Sequence, residues 1–237
     1  MYLRGKKLLA SRPLPGAELF TPGMHKFFRE ACSLRRADRY TVMAVACALK
    51  LAEEYALPAP WNDETALLTV TAFGPHRTTF ATLDDILDYP EDQILPTKFS
   101  HSVHNAAASY VGQALGLRGA VFALNGFENS FYEALRLAGE LLAAGTARRV
   151  LLIGVEENGL LTENAFRFDP ERFREEPLEG ALALLLSAVA RDNVCGRLVP
   201  APERVRGPAE TVFAFGGDGT VLKMLAEAGS ESVIEWR

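Results

Sequence analysis

Thiols and imidazoles are among the side chains of this sequence that could act as nucleophiles, bases or metal ligands. The three cysteines, Cys32, Cys47 and Cys195, lie far apart, and none has the Cys-x-x-Cys spacing of a zinc or redox site. Of the four histidines, His101 and His104 are three residues apart, a spacing that would place both on one helix face. The sequence pairs no cysteine or serine nucleophile with them. We therefore expect ordinary, largely buried thiols, solvent-facing or satisfied histidines, and no metal site.

A glycine-rich segment, Gly216 to Thr220 (GGDGT), stands between an apolar stretch predicted as a strand and a predicted helix. Its glycines would let backbone N–H groups approach a phosphate, and Asp218 could hold a metal or orient a hydroxyl. The segment looks like the phosphate loop of the NAD kinase and diacylglycerol kinase group, in which case ATP binding would depend on Gly217 and Asp218. Only seventeen residues follow Thr220, so we interpret it as a turn and keep a nucleotide-binding kinase relative as an alternative.

Composition excludes several other classes of function. The 237 residues are 49% hydrophobic and carry a formal charge of -5 that is spread along the chain without a block of like charges. This pattern is not that of a protein that binds nucleic acid or an anionic membrane surface. The amino terminus lacks the sustained apolar run of a signal peptide, and no later run has membrane-spanning length. We expect one cytoplasmic α/β domain.

Local patterns predict alternating strands and helices. Residues 1–34 have no clean period and are predicted to be extended or looped. Asp38 is a plausible N-cap for a helix that runs towards Pro58, and Thr65 to Gly74 is predicted as a buried strand followed by a turn.

Further along, AVFAL, an amphipathic helix ending near Gly145 and RRVLLIGVEE form a predicted βαβ unit, which implies a parallel pair. Ala181 to Ala190 fits a strand or a helix by periodicity. We favour a strand because Gly180 precedes it and because of its place in the alternation.

Five segments resemble, in the right order, the amino-terminal half of β-ketoacyl synthases. They run from Ala37 to about Ala190: RADRYTVMAVACALKLAEEYAL, LLTVTAFG, PTKFSHSVHNAAASYVGQALGLRGA, RRVLLIGVEE and FRFDPERFREEPLEGALALLLSA. The resemblance implies half of a thiolase-like fold, with a mainly parallel sheet flanked by helices. The expected organisation is a single domain, 1–237, with a core at 37–190 and a short tail at 191–237.

The chain departs from this family at the catalytic nucleophile. In condensing enzymes a cysteine follows a strand and opens a buried helix, where the helix N-terminus stabilises the thiolate. Alignment on the helix at Ala134 to Ala138 places Glu128 at the cysteine position, and a shift of one residue would substitute Phe127 or Asn129. None of these can form an acyl thioester. The family's two catalytic histidines belong to the carboxy-terminal half of the fold, which this sequence does not span.

A ketosynthase-like half without the cysteine is similar to the chain-length-factor subunits that pair with active ketosynthases in polyketide and aryl-polyene-type pathways. The resemblance implies a catalytic ketosynthase or a second copy as partner, with acyl carrier protein involved indirectly, and no cofactor. Dimerisation in the family runs through the strand before the cysteine, here Ala120 to Leu124, and the helix after it. The residues expected at the interface or pocket are Phe122, Phe127, Glu128, Phe131 and Tyr132.

A different class of function stays open from the residues alone. The chain would be a malonyl- or acyl-thioester decarboxylase or hydrolase if Glu128 or His104 supplied the chemistry. Against this, a carboxylate at a helix N-terminus is also explained by its interaction with the helix dipole.

Overall fold

The computed structural model describes residues 1–34, 36–56, 61, 64–127, 130–168, 178–190 and 194–200, together with the backbone of Val233–Trp236. The strands are β1 (Tyr2–Ala10), β2 (Glu18–Leu19), β3 (Thr65–Thr71), β4 (Val121–Asn125), β5 (Arg149–Glu156), β6 (Gly180–Ser187), β7 (Gly196–Pro200) and β8 (Val233–Trp236). The helices are α1 (Pro22–Ala31), α2 (Arg39–Glu54), α3 (His76–Asp88), α4 (Pro96–His101), α5 (Ala106–Leu115), α6 (Ser130–Ala143) and α7 (Leu160–Phe168), with a 3-10 turn at Glu91–Gln93.

One mixed sheet organises these elements. Its strand order is β4-β3-β5-β6-β1-β7-β8, with β2 beside β1. Strands β4, β3 and β5 are parallel, whereas β6 is antiparallel to both β5 and β1. The predicted α/β fold with a central sheet flanked by helices is confirmed. The sheet is mixed, because β4-β3-β5, β1-β2 and β7-β8 are parallel, whereas β6 and β7 are antiparallel to β1.

Helices cover the two faces of the sheet. On one face, α2 and α5 pack with apolar side chains of β3, β5 and β6, such as Leu67, Leu151 and Ala183. On the other, α6 packs against the alternate residues of the same strands, such as Leu68 and Leu152. Because both faces are covered, β3, β5 and β6 are buried almost throughout and have apolar sequences without a polar alternation.

Helix caps explain where two of these helices begin. The Asp38 side chain accepts a hydrogen bond from the backbone N–H of Thr41 at 2.8 Å, which confirms the predicted N-cap of α2. Thr21 caps α1 in the same way through Met24, with Pro22 in the first turn. Helix α1 corrects the prediction for residues 1–34, because only β1 and β2 there are extended.

Three other secondary-structure predictions can be compared with the structure. Strand β6 confirms the strand prediction at Ala181. Strands β4 and β5 are parallel as predicted, but they are not neighbours because β3 lies between them. The predicted strand and helix at 211–229 lie outside the described residues, and β8 pairs in parallel with β7. Within the described part of the chain, no helix is long and apolar enough to cross a membrane.

Substitution of Gly180 by alanine tests the close approach of β6 to β1. A Cβ at Gly180 would lie 2.6 Å from the Leu9 carbonyl oxygen, so the backbones must separate. We expect Gly180→Ala to lower the free energy of unfolding by about 2 kcal/mol in urea titrations.

The matched control is Gly139→Ala in α6, where a Cβ would meet no atom within 4 Å. This change should leave the free energy of unfolding unchanged or raise it by up to about 1 kcal/mol. Equal effects of the two substitutions would contradict the tight β1–β6 contact.

Candidate functional site

Polar and aromatic side chains meet where the three parallel strands end. Strands β3, β4 and β5 end at Thr71, Asn125 and Glu156, and parallel strands have their carboxyl ends at one edge of a sheet. In open α/β sheets this edge is the usual place for a ligand site. We take it as the candidate site.

The Glu156 side chain holds the turn that follows β3. Its carboxylate accepts hydrogen bonds from the hydroxyl of Thr71 at 3.0 Å and from the backbone N–H groups of Ala72 and Phe73. The amide of Asn125 adds a bond to the carbonyl of Ala72 at 3.1 Å. Because Glu156 is only 1% exposed, these bonds replace the hydration that burial removes.

This turn presents an aromatic pair. The rings of Phe73 and Phe127 are in edge-to-face contact, with centroids 5.2 Å apart. Phe73 is buried, whereas Phe127 is 49% exposed. Phe127 belongs to the β4–α6 connection, immediately before Glu128, so its exposed ring can be reached by another molecule beside the aligned cysteine position.

A second buried carboxyl group, Glu157, lies directly after β5. Its Oε1 atom accepts a hydrogen bond from the backbone N–H of Arg77 at 2.9 Å and lies 3.8 Å from Nδ1 of His76. Burial raises the pKa of Glu157 to about 8, and the nearby Asp38 carboxylate adds to this effect. Burial also lowers the pKa of His76. At neutral pH, Glu157 is therefore mostly protonated and His76 is neutral.

Two further carboxylates border this pair. Asp38 caps α2 through one oxygen and accepts a bond from the Thr78 hydroxyl at 3.0 Å through the other, so it links α2 to α3. Glu179 forms a bidentate pair with Arg39, at 3.0 and 2.7 Å. Both carboxylates are thus held by side-chain or backbone donors, and both lie near Glu157, where their negative charge opposes its ionisation.

The predicted interface residues fall into two groups. Phe122 on β4 and Phe127 are exposed to 40% and 49%, so both can contact a partner. Phe131 and Tyr132 in α6 are buried in the core against the sheet. Glu128 lies outside the described residues, and its role stays a prediction.

The two neighbouring histidines do not share a helix face as the sequence analysis predicts. Helix α4 ends at His101 and α5 begins at Ala106, so His104 lies in the turn between them. His101 is buried and stacks on Tyr110, with ring centroids 5.5 Å apart. His104 lies against Gly74, where a Cβ would come within 2.3 Å of its ring. The i,i+3 spacing therefore does not place the two rings on one helix face.

The cysteines lie away from the candidate site. Cys47 is fully buried in α2 and donates to the carbonyl of Ala181 at 3.2 Å, and burial raises the pKa of its thiol to about 12. Burial also raises the pKa of Cys32, at the end of α1. Cys195 lies near Tyr55. Among the described residues, no cluster of three or more histidine, cysteine, aspartate or glutamate side chains could hold a metal ion.

Among the described strands, β4 forms an open edge of the sheet. It pairs with β3 on one side, and four of its five residues are exposed, including Val121 and Phe122. A groove runs between β4 and α5, lined by Asn105, Ala108, Ser109, Gly112, Gln113, Leu117, Val121 and Ala123. The small residues among these, Ala108, Ser109, Gly112 and Ala123, let another chain approach closely. The GGDGT segment, Gly216 to Thr220, lies outside the described residues.

Comparison with solved structures shows a shared fold at low sequence identity. The ishigamide ketosynthase/chain length factor matches with a TM-score of 0.63 and 17% identity over 81% of this chain and 63% of that one. The complex of the ketosynthase ApeO with its chain length factor ApeC from Xenorhabdus doucetiae matches with a TM-score of 0.56 and 20% identity over 80% of each chain.

A third similar structure is a type II polyketide synthase acyl carrier protein in complex with its ketosynthase bound to the hexaketide. It matches with a TM-score of 0.57 and 16% identity, over 78% of this chain and 57% of that one. This chain therefore spans less than two thirds of the first and third structures, whereas the matched chain of the ApeO/ApeC complex is about as long as this one. No curated protein matches the sequence.

The family model of the β-ketoacyl synthase N-terminal domain matches residues 25–209, most of the chain. The protein belongs to this family. The resemblance seen in the five sequence segments is thereby confirmed.

Sequence reasoning missed the paired carboxyls Glu156 and Glu157 and the buried His76. The signal was present, because two consecutive acidic residues directly after an apolar strand are unusual at a buried position. The sequence analysis treated RRVLLIGVEE only as a strand that carries the family resemblance.

The protonated state of Glu157 predicts how stability depends on pH. A pKa raised from 4.5 to about 8 in the folded protein means that the folded state holds a proton that the unfolded state has lost. The contribution of Glu157 to stability is therefore full below about pH 4.5 and falls as pH rises to about 8, by at most about 1.4 kcal/mol per pH unit.

This prediction is tested by urea titrations of the protein and of Glu157→Gln between pH 5 and 9. As pH rises to about 8, Glu157→Gln should become more stable relative to the unmodified protein. Above about pH 8, the difference in the free energy of unfolding between the two should stay constant. Parallel pH profiles would show that Glu157 is ionised in the folded protein.

Proposed function

We propose that this protein is a non-catalytic ketosynthase-like subunit, of the chain-length-factor type, that partners an active β-ketoacyl synthase. The observation that carries this proposal is the β4–α6 connection, Asn125 to Ser130, which contains no cysteine. A family member without a thiol at this position cannot hold an acyl chain as a thioester. The buried Cys47, with its raised pKa, offers no substitute.

The open edge of the sheet supports assembly with a partner. An edge strand leaves one row of backbone N–H and C=O groups without a strand partner, and an exposed apolar edge favours pairing with another chain. Val121 and Phe122 are 48% and 40% exposed. The groove between β4 and α5 continues this surface. Because Gly112 has no side chain, a molecule in the groove can approach the α5 backbone closely.

Helices α3 and α4 carry further exposed apolar side chains. Phe80, Leu83 and Leu87 recur at helical spacing in α3 and are exposed, as are Leu95 and Phe99 around α4. Exposed apolar area of this kind marks a protein contact. The ketosynthase and chain-length-factor complexes among the similar structures support a ketosynthase as the partner.

Within such a complex, this subunit would shape the space that holds the growing acyl chain. The partner supplies the nucleophilic thiol, and Phe127, in edge-to-face contact with Phe73, is the exposed aromatic next to the aligned cysteine position. The proposal places the protein in the cytoplasm, in polyketide, aryl-polyene-type or fatty-acid-like synthesis. Acyl carrier protein would reach it indirectly, through the ketosynthase.

Co-expression with the ketosynthases encoded beside the gene tests this function. We expect a stable complex in size-exclusion chromatography, and we expect Val121→Asp to weaken it by at least about tenfold because it puts a charge on the open edge. Val189→Asp is the matched control, since Val189 is also exposed but follows β6, away from β4.

The same complex should make a product whose chain length changes when Phe127 is replaced by alanine. Phe27→Ala is the control, because Phe27 is 62% exposed on α1. The proposed function would be overturned if the protein bound none of the neighbouring ketosynthases and ran as a homodimer in size-exclusion chromatography.

A further inference from the structure

The two carboxyl groups at the end of β5, Glu156 and Glu157, hold consecutive parts of the connection between β3 and α3. Glu156 binds the turn at Thr71, Ala72 and Phe73, and Glu157 binds the first turn of α3 through the N–H of Arg77. The residue at the N-cap of α3 is Pro75, which provides no side-chain bond. Glu157 therefore supplies, from another segment, the cap that α3 lacks in its own sequence.

The Glu157 side chain is enclosed. It is 1% exposed and His76 is 3% exposed, and neither ring nitrogen of His76 makes a hydrogen bond of ordinary geometry with the described residues. Gly159 closes the space, because a Cβ there would lie 2.8 Å from Nε2 of His76. An ionised Glu157 could regain water only if α3 and the β5–α7 connection moved apart.

The charges around Glu157 come from every element that packs against it. Helix α2 contributes Asp38, Arg39 and the buried Tyr40 hydroxyl, and α3 contributes His76 and Arg77. Glu179 precedes β6, and Glu163 of α7 acts on His76.

Arg39 forms its bidentate ion pair with Glu179, and its charge also attracts Glu157 when Glu157 is ionised. The α3 dipole and the Arg77 N–H favour the carboxylate, whereas burial and the negative Asp38 oppose it. The latter effects are the larger, which raises the pKa of Glu157.

We propose that Glu157 is a positioning residue whose proton keeps the first turn of α3 docked on the end of β5. Glu157 loses its proton when α3 moves away from the end of β5. The aromatic pair of Phe73 and Phe127 then loses the support of α3. The consequence of this inference rests on the proposed function, because the aromatic pair would border the acyl chain in the complex. The docking of α3 is a property of the free chain.

Docking by a protonated side chain has a definite pH dependence. An opening that exposes Glu157 releases its proton between about pH 5 and 8, so the opening equilibrium rises by up to about tenfold per pH unit in this range and levels off above it. Hydrogen exchange of the Arg77 amide in the full chain, read by NMR as a protection factor, measures this opening.

Three variants separate the role of the proton from that of the hydrogen bond. Glu157→Gln keeps an oxygen for the Arg77 N–H but does not titrate, so its protection should be high and independent of pH. Glu157→Ala removes the acceptor and should show low protection at every pH. Asp84→Asn, on the exposed face of α3, should behave as the unmodified protein.

A flat protection profile in the unmodified protein, or equal slopes in Glu157→Gln, would overturn the inference. The complex gives the functional readout: with its ketosynthase, the unmodified protein should change product length between pH 6.5 and 8.5, whereas the complex with Glu157→Gln should not. If no ketosynthase binds, the proposed function fails, while the exchange profile still decides whether Glu157 positions α3.

Discussion

The bonds of Glu156 to the end of β3 are the interaction on which the rest of this edge depends. Its buried carboxylate accepts hydrogen bonds from Thr71, Ala72 and Phe73. The carboxyl ends of the parallel strands β3 and β5 are therefore held together. The position of α3 follows from this turn, as does the contact of Phe73 with Phe127. Glu157 then fixes the first turn of α3 from the same strand end.

Much of the fold could be predicted from the sequence because its central strands and α2 have strong local patterns. Asp38 at the start of α2 and the apolar runs of β3, β5 and β6 are such signals. Helix α1 was missed because Pro22 and Gly23 look like loop residues, although proline is favourable in a first helical turn. The position of β3 between β4 and β5 is set by tertiary packing, which local sequence patterns do not encode.

The candidate site could be predicted only in part. The absence of a cysteine between Asn125 and Ser130 is visible from the sequence, and the interest of Phe127 follows from the predicted alignment with the family. The roles of Glu156, Glu157 and His76 could not be predicted, because their burial and their partners depend on segments about 80 residues apart in sequence. The i,i+3 spacing of His101 and His104 misled because α4 ends at His101.

The central claim is that this chain shapes an acyl-chain site without carrying the chain itself. Intact-mass spectrometry of the complex with its ketosynthase, after incubation with an acyl thioester donor, tests this claim most directly. The account predicts an acyl adduct on the ketosynthase subunit and none on this chain. An adduct on this chain, at Cys32, Cys195 or any other residue, would contradict it.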